Sequence, residues 1–435
     1  MREPRTVALV AALVLYAALV VAVATTTPWR PLGDVANQAP VDLSRDFSPA
    51  EHQRENAYHR EVRPPAYIAL GLGLVLAWVL GFTPLGSRLV EVVARPLGGG
   101  WIWHVLLGGL AVLLLGRLLT LPLSAWMEVI QRRYGLSTRD WGGWAADLAK
   151  AFGLTTIVTL VVLLVLFALI RAMPQWWWVP AAAGAALLVM LLSFVYPLVV
   201  EPVFNKFTPM QQGALRTSLI QLAERDGVPV DDVLVADASR RTSTLNAYVS
   251  GFGATRRIVV YDNLLERAPP QQVEVVVAHE LGHTKYRDVL YGTLVGALGA
   301  AAGTCLLGWL LAHAGVLRRI GVTNVGDGRA LAFVLAVIAT LTFFSGPLQN
   351  LVSRRIEQRA DVHSLDLTED PTTFAQMQRS LAVSALSDLD PNWLIYTMFA
   401  SHDTAPQRIA LSRTWANQHG VPEPPNMAPV RGTTG

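Results

Sequence analysis

Cysteine is nearly absent: the 435 residues include one, Cys305, inside an apolar run. A single cysteine excludes an intramolecular disulfide and any zinc site built on several thiolates. In such a run it reads as a small packing residue. Charge is scarce as well. Asp, Glu, Lys and Arg make up 15% of the chain, against roughly 25% in soluble globular domains. Lysine is almost missing, with only Lys150, Lys206 and Lys285, so the basic residues are nearly all arginine, a bias that points to a GC-rich bacterial source. No block of basic residues occurs, which argues against nucleic acid as a partner. The chain shows no internal repeat and no glycine-rich phosphate loop.

What the chain does have is apolar residues, 52% of the total, and a mean hydropathy of +0.38. They gather in seven stretches, about 7–27, 66–84, 101–122, 153–172, 176–199, 289–313 and 330–350. Each is close to the ~20 residues that cross a ~30 Å hydrocarbon core. The lipid bilayer is therefore the chain's main partner, and the fold class is a polytopic α-helical membrane protein. The first stretch follows Arg2 and Arg5 and has the outline of a signal peptide. Its length and the spans that follow favour a retained helix. Between the fourth and fifth, "RAMPQWWWVP" turns at Pro174 and sets Trp176, Trp177 and Trp178 where an interfacial aromatic belt would lie.

Basic residues then orient the spans. With the N-terminus outside, Arg30, Arg45, Arg54, Arg60, Arg63, Arg132, Arg133, Arg139 and Lys150 fall inside, together with the arginine-rich segment after residue 200. The outside then keeps Arg2, Arg5, Arg88, Arg95, Arg171, Arg318, Arg319 and Arg329. The expectation is a multi-pass protein of a bacterial cell membrane with its segment 200–288 in the cytoplasm.

That segment has the composition of a soluble domain. "MQQGALRTSLIQLAERDGV" repeats apolar residues near a 3.6 period and stops at Gly227, so it reads as a helix. "DDVLVADAS", "LNAYVSGFG" and "RRIVVYDN" read as strands, with Gly251 and Gly253 turning between the last two. Pro269 and Pro270 open a helix. The predicted organisation is a membrane region (1–199), an α+β insert (200–288), two further spans (289–350), a helical portion (351–420) and a disordered tail (421–435).

The helix opened by Pro270 carries "VVVAHELGHTKYRDV", residues 275–289. His279 and His283 are four apart, hence on one helical face, and can offer two imidazole nitrogens to one ion. Glu280 stands beside them as a general base for a water at the metal. Catalytic zinc takes a third protein ligand, and "SRRIEQRADVHS" offers the best candidates. Glu357 can ligate, and Asp361, on the same face, can hold the other ring N–H of a ligand histidine. His363 reads as a surface histidine. One Zn2+ per chain is expected.

HELGH followed by "SRRIEQRAD" resembles the CAAX prenyl endopeptidases, membrane-embedded zinc metalloproteases. The resemblance extends to "LPLSAWMEVIQRRYGLST" (121–138), "EPVFNKFTPM" (201–210) and "LNAYVSGFGATRRIVVYDNLL" (245–265), in the order of that family. It implies His279, His283 and Glu357 as ligands, Glu280 as the base, a zincin-type insert, and a ring of seven helices around an intramembrane chamber. It also implies that Asn246, Ala247 and Tyr248 form the strand on which a peptide substrate's backbone is laid. His402, in "SHDTAPQRI", matches a histidine that can donate to an oxyanion, and Arg408 an arginine that can neutralise a buried acid. Asp403 and Thr404 stand where the family usually has prolines. Two other functions stay open on these grounds. One is a heat-shock-type quality-control metalloprotease acting on unprenylated peptides. The other is a transporter or receptor without catalysis, for which Arg117 is the one charge deep in a predicted span.

Overall fold

The computed structural model describes residues 2–33, 38–251 and 256–428. Among the described residues, seven helices are long and apolar enough to cross a membrane: Glu3–Thr26, Pro49–Phe82, Trp101–Arg133, Trp141–Ala172, Trp178–Phe204, Asp288–Leu311 and Gly328–Thr368. They are called spans 1 to 7 here, and each overlaps one of the expected apolar stretches. Span 2 packs on spans 3 and 7, span 4 touches spans 3 and 5, and span 6 lies between spans 5 and 7. A circuit of spans 2 to 7 therefore closes by itself. Span 1 packs along span 6. Between 0% and 39% of each apolar window is buried by protein. So little burial is the mark of a wall one helix thick, not of a tightly packed bundle.

The triple tryptophan departs from the belt expected of it. Trp176 is 40% exposed, but Trp177 and Trp178 are buried. They belong with Ala301, Cys305 and Leu307 to the apolar core to which span 1 and spans 3 to 7 contribute. Local composition shows an aromatic cluster, but only the tertiary contacts decide which rings face lipid.

Four spans continue beyond their apolar stretches. The helix of span 2 starts at Pro49, that of span 3 ends at Arg133, that of span 4 starts at Trp141 and that of span 7 runs on to Thr368. Because successive spans alternate in direction, all four extensions emerge on the side where the chain leaves span 5 and enters span 6. The layer outside the spans stands on them. Arg63 pairs with Asp388, His59 Nε2 lies 2.9 Å from the Leu386 carbonyl oxygen, and Ser137 bridges to Thr242.

The layer contains a four-stranded sheet: β1 (Phe207–Pro209), β2 (Asp232–Ala236), β3 (Ala247–Ser250) and β4 (Arg257–Tyr261), in the order β1-β2-β4-β3. β2 and β4 are parallel and the other two pairings antiparallel. β1 was not expected from the sequence; it is three residues long and ends in a proline, which gives little periodic signal. β3 pairs only with β4 and is an edge strand. The helix Ala214–Arg225 ends before Gly227, whose φ of +70° is a conformation that glycine adopts without strain. Gly253 lies outside the described residues.

The helix Pro270–Lys285 buries Val273, Val275, Val276, Val277, Ala278 and Leu281. Three consecutive valines are poor helix formers. Their helical state follows from burial between β3 and the extension of span 7. The helices Pro371–Ala385, Trp393–Phe399 and Ala405–His419 complete the layer. Thr404 caps the last of these in a capping box with Gln407.

The tail is more ordered than its composition predicted. Met427 N and Ala428 N donate to Arg45 O at 2.8 and 2.9 Å, and Arg413 Nε donates to Pro424 O. Arg413 also pairs with Asp46 in a bridge that is 1% and 2% exposed. Prolines lower the entropy of the free chain, so a few backbone bonds hold the segment down. The remainder of the expected disordered tail, 429–435, lies outside the described residues.

Candidate active site

Two long helices meet at the site. Pro270–Lys285 presents His279, Glu280 and His283, and the extension of span 7 presents Glu357 and Asp361. His279 Nε2 is 3.2 Å from His283 Nε2 and 3.2 Å from Glu357 Oε2, and His283 Nε2 is 3.6 Å from Glu357 Oε1. A tetrahedral zinc with bonds near 2.0–2.1 Å sets its ligand atoms about 3.3 Å apart. The two nitrogens, and each nitrogen with its nearer Glu357 oxygen, already stand close to that spacing. Among the described residues they form the one group of three or more potential metal ligands.

The polarity of these atoms supports a cation between them. His279 Nδ1 lies 2.9 Å from Asp361 Oδ1, and His283 Nδ1 lies 2.9 Å from Asp288 Oδ2. A carboxylate at Nδ1 fixes the proton there and leaves Nε2 as a lone pair. Two such lone pairs and a carboxylate then converge on one small volume, an arrangement that repels itself unless a positive charge occupies it. Without a metal, a proton supplies part of that charge. Burial opposes a charge on His279, but Asp361 and Glu357 outweigh it and lift the imidazole to about 10. These residues fit a zinc ion.

Glu280 is half-buried, and among the described residues nothing hydrogen-bonds its carboxylate. Burial pushes its pKa up, while His279 and His283 pull it down. A carboxylate left without partners is free to take a proton from a water at its side. His402 is exposed and its Nε2 sits 3.2 Å from Glu357 Oε2. The loop around it is held by Asp403, which accepts from Tyr396 Oη and Gln358 Nε2, both at 2.5 Å. Asp403 and Thr404 thus have structural tasks where the family usually has prolines. Arg408 forms a two-pronged ion pair with Asp361, and the pair is 14% and 2% exposed.

Asn246 is exposed, just before edge strand β3. Its carbonyl accepts from Tyr261 N at 3.0 Å, and its own Oδ1 accepts from Ala247 N at 2.9 Å. Ala247 is buried, and Tyr248 Oη donates to Glu201 Oε2 at 3.1 Å. The strand packs against the helix that carries the two histidines.

Two features escaped the sequence. Asp288 contacts His283, although it stands at the head of span 6 and reads as a helix-start acid. His363, expected at the surface, is 5% exposed. Its Nε2 donates to Asp226 Oδ2 at 3.0 Å, and Lys285 Nζ donates to Asp226 Oδ1 at 2.6 Å. The solvated reading failed because Asp226 comes from a different helix terminus, 137 residues away.

His363 also explains the glycine of HELGH. A Cβ on Gly282 would meet the His363 ring at 3.0 to 3.2 Å. Gly282→Ala is therefore expected to destabilise the protein by about 1–3 kcal/mol, as overpacking does. Thermal unfolding in detergent measures this; a midpoint at or above that of the parent would show that the ring gives way freely.

Comparison with known proteins follows the same lines. The family description "Peptidase family M48" matches residues 209–416. "CAAX prenyl protease N-terminal, five membrane helices" matches residues 32–206. A Bacillus subtilis protein named uncharacterized metalloprotease YhfN is 29% identical over 343 residues, 78% of this chain and 80% of that protein. CAAX prenyl protease 1 of Saccharomyces cerevisiae is 32% identical over 209 residues, 48% of this chain and 44% of the yeast protein. The crystal structure of S. mikatae Ste24p superposes with a TM-score of 0.75 at 20% identity, covering 93% of this chain and 98% of that one. At that identity the superposition speaks for the fold alone.

Proposed function

This chain belongs to the CAAX prenyl endopeptidase family of M48 peptidases, and from that membership we propose a zinc endopeptidase that cleaves peptides presented at the membrane face. A metalloendopeptidase with several membrane spans is what the family relationship establishes. The identity of the ion, the residue roles and the substrate are our reading. The observation that carries it is the convergence of His279 Nε2, His283 Nε2 and Glu357 within 3.2 to 3.6 Å, with Glu280 unpartnered beside them.

Zinc held by His279, His283 and Glu357 would polarise the scissile carbonyl and acidify the attacking water. Glu280 takes that water's proton and passes it to the departing amine. His402, on the open side of Glu357, donates to the oxyanion. The free edge of β3 at Asn246, Ala247 and Tyr248 lays out the substrate backbone by strand addition. Asp361, backed by Arg408, holds His279 in the tautomer that leaves Nε2 free. Cys305 is buried in the membrane core, remote from this chemistry.

The match of residues 32–206 to the CAAX-type membrane region favours this architecture over the heat-shock type. The substrate is a peptide with or without a prenyl group. Incubating purified protein with a farnesylated CAAX peptide and its unprenylated counterpart, with and without a chelator, tests both points. Chelator-sensitive cleavage is expected. Preference for the farnesylated peptide would assign prenylated substrates, and equal cleavage would assign unprenylated membrane peptides. No chelator-sensitive cleavage of either would overturn the proposal.

The insert and the C-terminal helices are placed in the cytoplasm, with the first span retained and the N-terminus outside. The basic residues on the four span extensions and the insert support this orientation. Tags at Gly227, near Gly435 and between Arg88 and Arg95 test it in intact bacterial cells. Only the third is expected to react with a membrane-impermeant label. Labelling of the first two instead would reverse the topology.

A further inference from the structure

The helix of the two histidines does not run on into span 6. It stops at Lys285, and Arg287 takes the left-handed conformation, φ 58° and ψ 38°. A non-glycine residue rarely adopts that conformation, so something in the fold holds the turn. The turn has a geometric result. In an unbroken helix, residues five apart point about 140° away from each other. The break swings Asp288 back instead, and its Oδ2 comes within 2.9 Å of His283 Nδ1.

The other oxygen of Asp288 accepts from Arg359, which lies two residues beyond Glu357 on the span 7 helix. The Arg359 guanidinium also lies over the Tyr286 ring, 4.4 Å from its centroid. Asp288 is 9% exposed and Arg359 20%. Asp288 also opens the helix of span 6, where the helix dipole favours a carboxylate. The arrangement repeats on the other histidine, where Asp361 faces His279 and Arg408 holds Asp361.

We infer that Asp288, held by Arg359, is a positioning residue that orients His283 for the metal and fastens the metal-binding helix to spans 6 and 7. The inference rests on the zinc reading above. Asp288 keeps the proton on Nδ1 and the ring in one orientation, so that Nε2 faces Glu357 and His279. Because Asp288 begins span 6 and Arg359 sits on span 7, the geometry at His283 depends on how those two spans meet.

The test uses the full-length protein in detergent, with Asp288→Ala, Asp288→Asn, Arg359→Ala and the double variant Asp288→Ala/Arg359→Ala. Two quantities are read: zinc affinity by competition with a chelator, and the visible absorption spectrum after cobalt(II) replaces zinc. Asp288→Ala is expected to weaken zinc binding about 10–100-fold and to shift the cobalt bands. Asp288→Asn, which keeps an acceptor oxygen, is expected to recover most of both. Arg359→Ala is expected to weaken binding less, and to add little in the Asp288→Ala background. A purely structural role would lower the yield but leave the cobalt spectrum of the folded, loaded protein unchanged. Parental affinity and spectrum in Asp288→Ala overturn the inference. If Asp288→Ala does not fold, parental values in both Asp288→Asn and Arg359→Ala, with no loss in the latter, overturn it. A parent protein that binds no zinc would defeat the zinc reading itself and is recognised before any variant is made.

Discussion

Glu280→Gln is expected to keep its metal and lose its turnover. The amide is nearly isosteric with the carboxylate, and Glu280 is not among the three groups that converge on the metal position. Zinc content should therefore match the parent. What the amide cannot do is accept the proton of the attacking water. General-base contributions are about 10²–10⁴-fold, and kcat should fall by at least that much. KM should change little, because the substitution removes neither the edge of β3 nor His402. The environment of Glu280 sharpens the expectation. Burial holds its pKa above the ordinary carboxylate value, which makes it a stronger acceptor for the proton of a water at its side. Turnover is measured with an internally quenched peptide, and zinc by elemental analysis of the same sample. Near-parental kcat in a zinc-loaded Glu280→Gln enzyme would remove Glu280 from the mechanism.

The parts of this site differ in how readable they were. His279, Glu280 and His283 lie within one helical turn, so their spacing alone puts the histidines on one face. Glu357 and Asp361 are also four apart, and the helix that continues span 7 carries them to the first pair. The spans were plain because ~20 apolar residues have few other uses. The signal fades where contacts join residues distant in the chain and different in type. Nothing near Asp226 marks it as the partner of His363, and nothing near His363 marks it as buried. Asp288 was hidden for another reason. Its contact depends on Arg287 leaving the helical region, and arginine is not a residue whose presence announces a left-handed turn. The roles of Asn246, His402 and Arg408 came from the resemblance. The structure sets His402 against Glu357 and Arg408 against Asp361, and leaves Asn246 at the free edge of the sheet.

Glu357→Ala and Asp361→Asn are expected to fail in opposite ways, although the two carboxylates are one turn apart. Glu357 touches both metal-facing nitrogens, at 3.2 and 3.6 Å. Its removal takes away a direct ligand and leaves two histidines, one short of the usual catalytic set. The protein should then lose its tightly bound zinc and all activity. Asp361 does not face the metal position. It lies 2.9 Å from His279 Nδ1 and is held by Arg408. An asparagine there still accepts from Nδ1, so zinc should bind about 10–100-fold more weakly rather than not at all. The damage moves to stability. Arg408 is 14% exposed and loses its charged partner, and breaking one side of a buried pair costs up to about 3–5 kcal/mol. The metal-free form of Asp361→Asn should therefore unfold at a lower temperature than metal-free Glu357→Ala. Competition with a chelator gives the first order and thermal unfolding after metal removal gives the second. A tightly held zinc in Glu357→Ala would move the third ligand elsewhere, and Asp361 would be the next residue to test.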